Sequence, residues 1–392
     1  MKRWSAVVAL ALTASLLAAC SSAGDVERPT TLRPAWRAIT LPVPPGPAGR
    51  VAVRDAAVCD GTWYVVGAVL GPDGASRPAA WQSDDLRTWE PVALAPSAYY
   101  ARRAILGSVA CRDGHVAALG ARSGGAHGNP RTTSWYLRAD GTLVDARAPF
   151  ELFGGPAAVS VRRVAAGPAG WLIVGNRLTG GAVWTSSDAT SFRILEHDPA
   201  LSSDAGHRTS VLDQVADGTG WTVVGRAETP DRAAPAPLAW TSPDGTRWTR
   251  QEVPATTGGF ADLERVVTDR AGLVAAGIRD RHFGLWRRTD GVWRAAGSFG
   301  RLATGGGEPP FVSGLVARDG TLLATVSDGD RYRAWTGTAD GGWQPLALPV
   351  TPRSTGDTQV TVAADDDAVL LLTDDGSTGR VWASAWSAVS PG

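Results

Sequence analysis

The sequence predicts an all-β fold, a seven-bladed β-propeller of four-stranded blades, and three observations carry the prediction. A tryptophan followed by small polar residues recurs at Trp81, Trp135, Trp184, Trp240, Trp286, Trp335 and Trp382, at spacings of 46 to 56 residues. An apolar run precedes each one. It ends in glycine at Gly67, Gly120, Gly175, Gly225 and Gly277, and loses the glycine in the last two repeats, "TLLATVS" and "AVLLLTD". The seventh repeat stops soon after Trp382, while an unmatched Trp36–Pro42 segment at the other end of the chain repeats the spacing of Trp343–Pro349. Repeats of this length, each holding several short β-runs, are the pattern of a propeller.

Within each repeat the strands follow in order. A first apolar stretch leads into a turn rich in Asp and Gly, such as "ADGTG" at 216–220 or "ARDG" at 317–320, and the glycine-ended run returns from it as a hairpin. The repeat tryptophan marks the third strand. A fourth strand begins near Trp89, Leu143, Phe192, Trp248, Trp293 and Trp343, and two of these end in proline six residues on, at Pro254 and Pro349. The seventh blade lacks its own fourth strand, so the N-terminal strand around Trp36–Pro42 is expected to complete it. That closure leaves no open edge across the ring. Residues 34–392 form one domain.

The segment before it reads as an export signal. Lys2 and Arg3 precede an apolar run, Ala6 to Leu17, that is short for a membrane span. Leu17-Ala18-Ala19-Cys20 resembles the bacterial lipobox. That resemblance implies a signal peptide over 1–19, a lipid on Cys20, a tether over 20–33, and an extracytoplasmic protein held to the membrane by its lipid. Export in turn makes a disulfide between Cys59 and Cys111 plausible, since they end the first strands of adjacent blades and would meet an oxidising compartment.

Composition limits the partners. Formal charge is zero, which gives no reason to expect nucleic acid. Lys2 is the only lysine; arginine has replaced it throughout, as expected of a GC-rich, actinobacterial genome, so clustered arginines carry less meaning here. The five histidines are scattered without metal-ligand spacing, "ADDDAVLLLTDDG" at 364–376 reads as solvated turns, and no cofactor motif is present. A monomer with neither metal nor cofactor is expected.

The stretch "WTSPDGTRW" at 240–248 has relatives at 81–89 and 184–192. Ser83, Ser186 and Ser242 align, as do Asp85, Asp188 and Asp244, with Gly245 present only in the third copy and closing residues Trp89, Phe192 and Trp248. This resembles the Asp-box of sialidases and other Asp-box propellers. The resemblance implies turns between third and fourth strands, on the face opposite the ligand site. An aspartate that accepts amides of its own turn is a structural fastener. The residues a sialidase uses (three arginines, a tyrosine–glutamate pair, an Arg-Ile-Pro near the first blade) are not recognisable; the nearest match, Arg193-Ile194-Leu195, lies on an outer strand.

Ligands of propellers bind on loops around the channel mouth. Tyr99, Tyr100, Arg102 and Arg103 make the most binding-like cluster, and Arg162, Arg163, His207 and Arg208 open the next first strands toward the same mouth. The leading expectation is a non-catalytic binding or assembly module for a glycan or protein partner, with bland, solvated loop arginines as the alternative account of these residues. The rival function is a glycoside hydrolase or lyase on extracellular polysaccharide.

Overall fold

The computed structural model describes residues 30–124, 130–255, 259–305 and 307–391. Cys20, the signal segment and most of the tether lie outside the described residues.

Seven antiparallel sheets form a ring. Blade one holds Arg50–Cys59, Thr62–Leu70, Ser76–Ser83 and the two-residue Glu90–Pro91. Blade four shows the pattern at full length, with Arg208–Asp217 innermost, then Gly220–Glu228, Ala236–Ser242 and Thr249–Glu252 outermost. Each first strand lies beside the first strand of the next blade, and Gln359–Ala364 of blade seven returns to Arg50–Cys59 of blade one. The expected closure is present: Arg37–Ile39 pairs antiparallel with Gly379–Ala385, in the register Arg37 to Ala383, Ala38 to Trp382 and Ile39 to Val381. Leu32 is already bound to the fold. It bridges Leu346 of blade six, its N–H donating to the Pro345 carbonyl at 2.9 Å.

Blade two departs from the four-strand pattern. Ala93–Leu94 adds a fifth strand, parallel to Thr142–Asp145, on its outer edge. A two-residue strand has no alternation to read, so the sequence gives no sign of it.

The core lies between blades. Trp89 packs with Ile39, Ala363 and Leu370 of blade seven, and Phe192 packs with Ala117 and Leu119 of blade two. Trp81, Trp135, Trp184, Trp240 and Trp286 are fully buried. Four of them also tie their third strand to the loop that enters the same blade. Their indole N–H groups donate to the carbonyls of Pro42, Leu152, Ala200 and Pro254, at 2.7, 2.6, 2.8 and 2.8 Å respectively. The repeat tryptophan thus fills interblade space and satisfies its one polar atom in a single placement.

The serine–aspartate turns sit between third and fourth strands. Asp85 Oδ1 accepts from the amides of Arg87 and Thr88, both at 2.7 Å, while Asp188 accepts from Thr190 at 2.9 Å and Asp244 from Thr246 at 2.8 Å. Leu86, Ala189 and Gly245 occupy one equivalent left-handed position, with φ of 60°, 64° and 79°. Only the third copy carries the glycine that this conformation favours.

Candidate functional site

The glycine expected to end a second strand lies inside it, as Gly67 does in Thr62–Leu70 and Gly225 in Gly220–Glu228, and its cause is in the channel wall. In blades one to four and six the first strand carries a register shift opposite its second strand, a β-bulge. The bulge presses a first-strand carbonyl onto the neighbouring chain. A Cβ at Gly67, Gly175 or Gly225 would collide with the carbonyl oxygen of Ala52, Ser160 or Ser210; one at Gly277 of blade five, whose strand pair has no such shift, would meet that of Asp262.

Side chains around the bulges then bond the following blade. Asp55 of blade one accepts the Val109 amide at 3.1 Å, and Ser108 accepts that of Val164 at 3.2 Å. Asn176 accepts the Val211 amide at 2.9 Å, Asp213 that of Val266 at 3.1 Å, and Glu264 that of Val312 at 2.5 Å. Thr361 donates to the Ser313 carbonyl at 3.2 Å, and Gln359 to that of Arg54 at 2.9 Å, which completes the circuit. Each bond supplies a partner for a backbone group that would otherwise be orphaned. At the seam Asp374 receives Arg50 at 2.8 Å and Arg54 at 2.5 Å. Arg163 lies deeper, within 3.4 Å of Asp55 and 3.3 Å of Asp213. The Asp55 charge beside it raises its already high pKa further.

Asp262 and Glu264, two residues apart at the start of blade five, stand near Arg162, Arg226 and Arg265. Asp262 is buried; it accepts the Ile278 amide at 2.9 Å and Arg226 at 3.2 Å. Burial and the neighbouring Asp262 charge push the Glu264 carboxyl up to about 8. Arg265 donates to the Ser313 carbonyl at 3.1 Å, whereas Arg162 makes no hydrogen bond or ion pair among the described residues. A cavity of about 410 Å³ opens beside Arg265, lined also by Phe311, Tyr332, Thr355 and Gln359. A carboxyl that keeps its proton at neutral pH can donate as well as accept, and the unpaired Arg162 guanidinium nearby favours oxygen-rich ligands.

The residues singled out from sequence fall into three places. Arg162 and Arg163 belong to the channel. Tyr99, Tyr100, Arg102 and Arg103 belong to the rim of blade two: Tyr99 is 58% exposed, its ring centroid lies 5.1 Å from that of Tyr100, and Arg103 stacks over it at 4.3 Å. Arg102 is occupied in part by the Ser97 carbonyl at 2.9 Å. His207 sits on the loop entering blade four, and Arg208 opens its first strand, Arg208–Asp217, as expected. His207 contacts Asp204 at 3.2 Å, Asp204 accepts Arg250 at 2.6 Å, and Arg208 pairs with Glu228 at 3.2 Å on the surface. The Arg250 bond holds the Asp204 carboxyl well below the usual carboxylate range. This group braces a loop.

Cys59 and Cys111 are joined in a disulfide that links blades one and two. It lies at the end of the first strands away from the channel mouth. Asp55, Asp213, Asp262, Glu264 and Arg226 were not singled out from sequence. Their signal was the acid set just before or after the bulge in "VRD", "VLD" and "ADLER".

No family of proteins and no curated protein sequence matches the chain. Among solved structures, the extracellular domain of a one component system from B. thetaiotaomicron is similar at a TM-score of 0.51 and 10% identity, over 88% of this chain and 39% of that one. The β-propeller domain of the Trilobed protease from Pyrococcus furiosus has a TM-score of 0.49 at 10% identity, over 86% and 94%. Trypanosoma rangeli sialidase has 0.46 at 12% identity, over 93% and 59%. This chain therefore spans about two fifths of the first of these proteins. At such identities the likeness concerns the propeller fold alone.

Proposed function

We propose that the protein is an extracytoplasmic binding or assembly module, a lipoprotein held at the membrane through Cys20, that engages a glycan or protein partner on the loop-bearing face of the ring. One observation carries this reading. The channel-facing carboxylates of Asp55, Asp213 and Glu264 are each bonded to the backbone of a following blade, while Tyr99 and Arg162 are presented to solvent on the loop-bearing side. A ring that carries an exposed aromatic and an unpaired cationic group on one face suits recognition. The serine–aspartate turns, read as Asp-boxes, fasten the opposite face. The lipobox and the Cys59–Cys111 disulfide support export. Among the described residues no helix is long and apolar enough to cross a membrane, so anchoring in this reading rests on the lipid. The actinobacterial origin remains a reading of arginine usage.

One observation favours a second reading. Glu264 holds its proton near neutrality beside Asp262, as the acid of a glycoside hydrolase or lyase does. Retention of the full-length protein on extracted envelope glycans and envelope proteins, compared with Tyr99→Ala and Arg162→Ala, separates the two. Retention that both substitutions weaken, without bond cleavage, is expected of a binding module. Turnover that Glu264→Gln abolishes overturns it in favour of the hydrolase.

A further inference from the structure

Arg131, at the start of the third strand of blade two, Pro130–Leu137, carries a charge that no described residue answers. Its guanidinium lies 4.8 Å from the ring centroid of Phe150 and 5.9 Å from that of Tyr100. None of its N–H groups donates to a described residue, and its Nε is buried without a partner.

The rings explain where the guanidinium sits but use none of its donors. A guanidinium lying over an aromatic face is held through its π surface, and its five N–H groups stay in its own plane, directed away from that face. Arg131 borders a groove of about 400 Å³ whose other walls are largely apolar, from Ala146, Ala148, Pro149 and Phe153. The one acid bordering it, Asp145, is already taken by the Ser97 amide at 2.5 Å, the Ser97 hydroxyl at 3.0 Å and the Ala98 amide at 3.1 Å. Arg147 adds a second cation on the exposed side without an acceptor among the described residues. Phe150 is 53% exposed, an apolar ring left open beside a buried unpaired donor.

We propose that this groove binds a small organic carboxylate, its anionic head paired with Arg131 and its apolar or flat body laid along Phe150. A planar two-oxygen head matches the guanidinium fork. The half-buried Arg131, held against the rings, calls for a singly charged head, and the volume is at the small-ligand end of binding pockets. The site deepens the binding-module reading and rests on it; it shares Tyr100 with the rim cluster but is carried by Arg131 and Phe150.

Phenylacetate is the probe, titrated calorimetrically into the full-length protein, with phenylacetamide, acetate and phenyl phosphate beside it. Saturable one-site binding is expected, about tenfold or more tighter for phenylacetate than for the uncharged amide or the bodiless acetate. Arg131→Gln should erase the preference for the acid over the amide, and Phe150→Ala should weaken phenylacetate and phenylacetamide alike. Equal binding of acid and amide, no saturation by about 10 mM, or an intact preference in Arg131→Gln would overturn the proposal. Tighter binding of phenyl phosphate overturns the choice of a carboxylate. Should the substitutions fail to fold, hydrogen exchange of the unaltered protein decides: phenylacetate must slow exchange within 144–154, and no change there refutes the site. Failure of phenylacetate while retention still depends on Tyr99 and Arg162 removes the groove alone and leaves the module reading standing.

Discussion

Arg163 and Asp55 belong to blades that are not neighbours, three and one, yet their side chains meet across the channel, Nη2 to Oδ2 at 3.4 Å. Asp213 of blade four approaches the same guanidinium, and both carboxylates are almost fully buried. Arg163→Met therefore leaves two buried acids facing each other. The expected loss is about 3 kcal/mol in denaturant unfolding, as for other buried pairs deprived of one partner. A loss within 0.5 kcal/mol, roughly a neutral surface change, would show that the cross-channel contact contributes nothing.

The bulge makes a sharper demand on sequence than the serine–aspartate turns do. Gly225→Ala places a methyl against the Ser210 carbonyl, a backbone atom that cannot rotate aside. About 3 kcal/mol of destabilisation, or failure to fold, is expected. Gly245→Ala meets the Thr185 side chain at 3.1 Å and the Trp221 ring at 3.6 Å, side chains rather than backbone, but must keep φ at +79°, which costs about 1–2 kcal/mol. Thermal unfolding should rank the first far above the second.

Glu264 gives a pH signature. Its carboxyl is raised in the folded protein, by burial first and Asp262 second, so the unfolded chain releases the proton more readily. Its contribution to stability is complete below the ordinary glutamate range and is lost as pH climbs toward about 8. Glu264→Gln keeps an acceptor for Val312 and should flatten that decline, which has a slope of at most about 1.4 kcal/mol per pH unit. Unfolding curves at pH 5 and pH 8 that fall in parallel for both proteins would refute the assignment.

The disulfide closes a loop with a sequence separation of 52 between blades that already pack together. Replacing both Cys59 and Cys111 with serine should lower stability by about 2–4 kcal/mol through the unfolded chain's freedom, leaving the ring intact. Calorimetric melting with and without reductant checks it; equal midpoints would mean that the thiols are free.

How far the fold was legible follows from which signals have a single physical cause. The repeat tryptophan counted blades because each one fills the same interblade space. The Trp36-to-Pro42 spacing located the displaced strand, and in the structure the Pro42 carbonyl accepts the Trp81 indole. Pro254 does the same for Trp286. The second-strand glycines were visible too, but only as punctuation. Their meaning lies in the first strand opposite, where "VRD" and "VLD" carry the acid but nothing within the second strand points to it. Asp55, Asp213 and Glu264 were missed for that reason. Arg131 and Phe150 were missed because they lie 19 residues apart, and only the fold brings their side chains together.

The central claim is that the loop-bearing face recognises a partner while the turn face only fastens the blades. A photo-cross-linking amino acid placed at Tyr99, and separately at Thr246 on the turn face, tests it directly in cells expressing the full-length lipoprotein. Cross-links to envelope material from position 99, with position 246 at background, are predicted. Cross-links arising equally from both faces, or from position 246 alone, would contradict it.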